Sequence, residues 1–204
     1  MTQRHLTTDQ ADALGELVNV AMGQAGAALS RLLNAFVKLN SPRVHVLRAE
    51  DVPNLVARSL DEPEAASAVT QAFYNTLRGE SIVLFGAEGL RELMERLQQE
   101  LGVEDQDELE LLLDTSNIVT GAILSSLGSQ LQADFDFSPP SILGVRQPVS
   151  ELLGAGTRDW DEALVIDVHF AVEDSRFTCL VTLLMPEQSI DTVCTLVDNI
   201  LEAY

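Results

Sequence analysis

A pattern of three polar residues and a proline recurs in this chain at identical spacings: Asp12, Glu16, Asn19 and Pro42 in the first half, Glu110, Asp114, Asn117 and Pro140 in the second. Each is displaced by 98 positions, as from 12 to 110 and from 19 to 117. Small and apolar landmarks keep the same shift: Gly23 with Gly121, Leu29 with Leu127, Leu33 with Leu131, Ala35 with Ala133. A chain that repeats over this length builds one supersecondary unit twice, so whatever the first half folds into the second half should copy.

The unit can be read from periodicity. Thr7 followed by Gln10 has the form of a capping box, and from Thr8 to about Phe36 the apolar residues Leu14, Leu17, Val18, Ala21, Met22, Ala25, Leu29, Leu32 and Leu33 keep helical spacing. From Asp107 to about Gln132 the residues Leu111, Leu112, Ile118, Val119, Ala122, Ile123, Leu127 and Leu131 make a second long stripe. Interior glycines at 15, 23 and 26 each cost about 1 kcal/mol against alanine, which predicts close approach by another helix as compensation. Pro42 and Pro140 then lead into extended sequence, Val44 to Leu47 and Ile142 to Val145; their expected role is to end helices and aim strands.

Two hairpins follow. Ser67 to Leu77 turns at Gly79 and returns as Ser81 to Phe85, while Ala163 to Val172 turns at Glu173 to Ser175 and returns as Phe177 to Met185. A shorter amphipathic helix closes each half, with Leu90, Leu93, Met94 and Leu97 matched by Ile190, Val193, Cys194 and Val197. Stretches 50–66 and 147–161, rich in Pro, Gly and acidic residues, read as connecting loops. The expectation is an α+β fold of one domain over 1–204, with repeats at about 8–98 and about 106–201. Its β-layers would merge into an antiparallel sheet about a pseudo-twofold axis, the two long helices packed on one face.

Composition narrows the partners. Twelve Lys and Arg against 32 Asp and Glu leave a formal net charge of -20, which opposes phosphate backbones and anionic headgroups, so nucleic acid and membrane insertion are disfavoured. A protein surface carrying Lys or Arg would instead be drawn to this body. The amino terminus lacks the apolar run of a secretory signal and no uninterrupted apolar stretch approaches spanning length, which predicts a cytoplasmic protein. Cys179 and Cys194 lie in apolar segments as buried thiols, and His5, His45 and His169 have no paired ligand spacing, so no metal site is expected.

Residues three and four apart on a helix share a face, so Asp12, Glu16 and Asn19 form one row, as do Glu110, Asp114 and Asn117. A lone E-x-x-N is ordinary solvated surface, but repetition at the same register with a proline at the same distance is not what solvation alone produces. Asn has no useful titration, yet its amide donates and accepts at once and can fix one water; Glu can make a charge-assisted bond to a Lys. Neither resembles a nucleophile with its base. Such a pair fits the completion of another protein's active site, and phosphoryl transfer, where an in-line water counts for most, is the chemistry it suits.

The pattern D/S, three residues, E, two residues, N, 22 residues, P resembles the signature of the CheC, CheX and FliY phosphatases of bacterial chemotaxis, and Asp12, Glu16, Asn19 and Pro42 satisfy it. The resemblance spans nearly the whole chain and is strongest to CheC, with which the duplicated architecture and length agree. It implies hydrolysis of the aspartyl phosphate of a CheY-type response regulator: the first helix docks on the phosphorylated partner, Asn19 holds the attacking water in line, and Glu16 pairs with the Lys that contacts the phosphoryl group. Mg²⁺ and the phosphorylated Asp would belong to the regulator, leaving this chain without a cofactor. In the second copy Asp114, one methylene shorter, stands where Glu is expected and Glu110 replaces Asp or Ser, which shortens the reach to the Lys, while Asn117 and Pro140 match.

Two other classes remain. One is a non-catalytic adaptor that binds a response regulator, a flagellar-switch component or a CheD-type deamidase. The other is an enzyme with an internal pocket drawing carboxylates from Asp134, Asp136 and the acidic run Glu104 to Glu110, charges that more often form a solvated face.

Overall fold

A computed structural model describes residues 6–101, 107–154 and 160–203. The start of the second repeat near 106, the first part of the acidic run and His5 lie outside these residues.

The first half runs α1 (Thr8–Leu33), β1 (Val37–Leu39), β2 (Arg43–Arg48), a 3₁₀ turn (Ala49–Asp51), α2 (Val52–Arg58), β3 (Ala66–Asn75), β4 (Gly79–Gly86) and α3 (Ala87–Leu101). The second runs α4 (Glu108–Leu131), β5 (Phe135–Phe137), β6 (Ser141–Gln147), α5 (Val149–Leu152), β7 (Glu162–Val172), β8 (Thr178–Pro186) and α6 (Glu187–Leu201). The capping box is present: Thr7 Oγ1 accepts from the Gln10 backbone and Gln10 Oε1 accepts from the Thr7 N–H.

The strands form one antiparallel sheet in the order β1-β7-β8-β4-β3-β5, with β2 also on β7 and β6 also on β3. Exchanging the halves leaves this order unchanged. The halves join at β4 and β8, where Ile82 faces Thr182 and Val83 faces Val181. Helices α1 and α4 pack on each other and on one face of the sheet. Gln130 of α4 ties them by donating to the Leu17 carbonyl of α1 at 3.0 Å. Leu164, Ile166, Val168 and Phe170 of β7, with Val83 and Phe85 of β4, point into this core, which α3 and α6 close at its margins through Leu90, Leu93, Ile190, Val193 and Val197.

The second face of the sheet is also covered. Val52 and Val56 of α2 and Val149 and Leu152 of α5 pack with Ala66, Ala68, Ile82, Leu84, Ala163, Val165, Leu180 and Leu184. The stretches read as loops thus contain the short helices α2 and α5, which have a structural duty. The reason lies in β7 and β8, whose apolar runs bury both faces of the strand, as a sheet covered on both sides requires.

Neither proline ends a helix. Asn34 and Gln132, both in the left-handed region at φ 46° and 52°, terminate α1 and α4 and return their N–H groups to Ser30 and Gly128. The short strands β1 and β5 then intervene before Pro42 and Pro140, each of which stands immediately ahead of its strand, β2 and β6. By length and composition α4 could cross a bilayer, but 56% of its apolar window is buried in the protein, as for the core helix of a packed domain.

Candidate functional site

Asp12, Glu16 and Asn19 project from one exposed face of α1, at i, i+4 and i+7. Leu14, Val18, Ala21 and Met22 on the opposite face are buried against the sheet and α4, so core packing fixes the roll of the helix and with it the direction of the polar row. The row opens into a groove of about 790 Å³ lined by Asp12, Gly15, Glu16, Asn19, Ser41 and Pro42, with Leu201 of α6 at one side. The structure thus brings together all four members of the first pattern. Pro42, half-buried, forms the wall facing the helix. The glycines are not explained by helix contact: a methyl at Gly15 or Gly23 would meet nothing within 4 Å, and one at Gly26 would meet the Leu39 side chain of β1. Gly23, one turn beyond Asn19 on the same face, leaves backbone open beside the polar row.

The second row, Glu110, Asp114 and Asn117, is likewise exposed on α4, with Pro140 half-buried ahead of β6. Its surroundings differ. Asn117 Oδ1 accepts a hydrogen bond from Gln71 Nε2 of β3 at 3.3 Å, and Gln71 is only 2% exposed. Among the described residues Asn19 has no such partner. Beneath α4 the buried Thr120 and Ser81 hydroxyls bond at 2.9 Å, and Thr115 and Ser116 are buried too. The corresponding positions under α1 are the apolar Met22, Val181, Leu17 and Val18. Arg146, at φ 50°, crosses from β6 to Glu108 at the start of α4.

Sequence reasoning missed Gln71. The signal was present, since Val69, Gln71 and Phe73 alternate onto the helix face of β3, where an uncharged polar side chain stands out among apolar ones. Asp134 and Asp136 are exposed around β5, and Asp136 accepts from the Asn75 amide. Neither cysteine is poised as a nucleophile: burial pushes the Cys179 thiol up to about 12, and burial beside Asp198 and Asp191 raises that of Cys194.

No protein-family model matches the sequence. The structure is similar to FliY of Thermotoga maritima at 17% identity and a TM-score of 0.67, covering 96% of this chain and 99% of that one. It is also similar to the FliM middle domain of Vibrio alginolyticus, at 14% identity and a TM-score of 0.59, over 90% and 99% of the two chains. The chemotaxis protein CheX of Vibrio vulnificus matches at 18% identity and a TM-score of 0.53, over 83% and 99%.

Proposed function

We propose that this chain, whose fold is that of the CheC, CheX and FliY proteins, is a phosphatase acting on the aspartyl phosphate of a CheY-type response regulator. The observation that carries the reading is the assembly of Asp12, Glu16, Asn19 and Pro42 along one open groove on a rigidly packed helix. The groove has no group able to do the chemistry alone, and its exposed carboxylate and carboxamide suit insertion into a partner's site.

In this mechanism α1 docks over the phosphorylated Asp. The Asn19 amide, free of internal partners among the described residues, accepts and donates to one water and holds it in line with the phosphorus. Glu16 receives the regulator's Lys in a charge-assisted bond, which aligns the helix and displaces bulk water. The Mg²⁺ that neutralises the phosphoryl oxygens is the regulator's. The acidic surface favours encounter with a partner presenting a cationic rim. Asp114 and Asn117 form a second site in which the carboxylate is one methylene shorter.

The FliM middle domains among the similar structures favour one other reading, an adaptor that binds a regulator, a switch component or a CheD-type deamidase without hydrolysis. Decay of a phosphorylated CheY-type regulator separates the two. Native protein, Asn19→Ala, Asn117→Ala and the double variant are compared, with binding measured in parallel. Stepwise loss of acceleration means two working sites, and loss with Asn19→Ala alone means that the α4 copy is idle. No acceleration of a regulator that binds overturns the phosphatase and leaves the adaptor.

A further inference from the structure

The two asparagines differ in what lies beneath them. Gln71 Nε2 carries two protons, and each has a partner: the Ser138 carbonyl at 3.0 Å and Asn117 Oδ1 at 3.3 Å. A backbone carbonyl can only accept, so the Ser138 bond decides which end of the Gln71 amide points toward α4. Ser138 is itself held. Its N–H donates to the Ala72 carbonyl at 2.8 Å, and its hydroxyl oxygen accepts from the Ala72 N–H at 3.0 Å. The chain of dependence runs from the β3 backbone through Ser138 and Gln71 to Asn117, whose oxygen is drawn inward and whose Nδ2 protons face outward. Burial sharpens the constraint, because Gln71 Oε1 already lacks a partner and a rotated amide would strand its N–H groups as well.

At the α1 site the strand register puts Val168 of β7 where Gln71 of β3 stands at the α4 site. Phe170 pairs with Leu39 as Phe73 pairs with Phe137, which aligns β7 with β3, and Val168 is fully buried and apolar. Asn40, the counterpart of Ser138, keeps the backbone bond to the strand through its N–H to the His169 carbonyl at 3.3 Å, but no amide links it to Asn19.

We infer that Gln71 is a positioning residue for the α4 site: it presets the orientation of the Asn117 amide, whereas the Asn19 amide of the α1 site is oriented only by the docked partner. This rests on the phosphatase reading for its kinetic consequence and on the fold alone for its geometry. A preset amide reaches the reactive geometry without freezing a rotor, so the benefit falls on the chemical step rather than on docking. The second site, with its shorter carboxylate, is thereby compensated in kcat for what it loses in contact to the regulator's Lys.

The test uses the Asn19→Ala protein, in which only the α4 site remains, with and without Gln71→Leu. Replacement should lower kcat by about three- to tenfold, the worth of one neutral orienting hydrogen bond, with KM unchanged. Relaxation of the Asn117 side-chain amide, followed by ¹⁵N NMR without regulator, should show an ordered group in native protein that becomes mobile in Gln71→Leu, while the Asn19 amide is mobile in both. An Asn117 amide already mobile in native protein overturns the inference, as does unchanged kcat in a variant whose amide has been freed. If native protein turns over no regulator, the phosphatase reading fails, and the NMR result still decides whether Gln71 orients Asn117. Should Gln71→Leu unfold, Gln71→Met, which keeps the length and removes the donor, carries the same two readouts.

Discussion

Replacing Gly23 by alanine isolates a cost that the fold does not require of itself. Gly23 lies inside α1, and a methyl built there has no heavy atom within 4 Å beyond the helix itself. The substitution neither clashes nor gains packing, leaving only the helix preference of alanine, about 0.4–1 kcal/mol. Gly15 is equally open. Eight residues of helix separate the two by about 12 Å, far enough for their effects to add to about 1–2 kcal/mol. For a domain of this size that raises Tm by roughly 2–8 °C in thermal unfolding followed by circular dichroism. Gly79→Ala is the opposing control, because its methyl would collide with the Leu184 carbonyl oxygen and the Phe73 ring, and its Tm should fall. An unchanged or lowered Tm in Gly23→Ala would refute the claim that nothing in this chain occupies that space. The proposed docking adds a second expectation: Gly23 follows Asn19 on the same face, so the stabilised variant should show a higher KM for the phosphorylated regulator.

Asp167 gives a pH prediction. It is 3% exposed, and burial raises its pKa above the ordinary carboxylate value, against the lowering effects of the Thr182 hydroxyl at 2.7 Å and of His45 and Arg43. With the folded value raised, the native state holds its proton longer than the unfolded chain; the stability this contributes is present in acid and lost as pH rises through the folded value. Asp167→Asn should therefore raise Tm near pH 7, with the advantage shrinking toward pH 4, as thermal melts across that range would record. Phe85, fully buried and tilted against Phe177 with ring centroids 6.0 Å apart, should cost ~3–5 kcal/mol on truncation to alanine in urea unfolding.

The long helices, the capping of α1, the hairpins and the exposed polar rows were legible in the sequence because each has a local cause: a 3.6-residue stripe, a Thr7–Gln10 box, a turn, a spacing of three and four. The strand order reads the same when the two halves are exchanged. Less local features escaped. The helices α2 and α5 are short segments whose apolar residues acquire meaning only when Ile82, Leu84 and Val165 are found facing them. The ends of α1 and α4 were set by left-handed Asn34 and Gln132, not by prolines several residues later.

What the sequence determined by itself is the chemistry on offer: a carboxylate and a carboxamide on one helix face, twice, with no nucleophile beside them. What only the tertiary structure decided is how differently the two asparagines are held. The spacing is the same in both helices, but the strand residue beneath each asparagine comes from far away in the chain, Gln71 of β3 beneath Asn117 and Val168 of β7 at the matching register for Asn19. Hydrogen bonds across the sheet and helix layers depend on which residues packing brings face to face, and no periodicity within one segment records that.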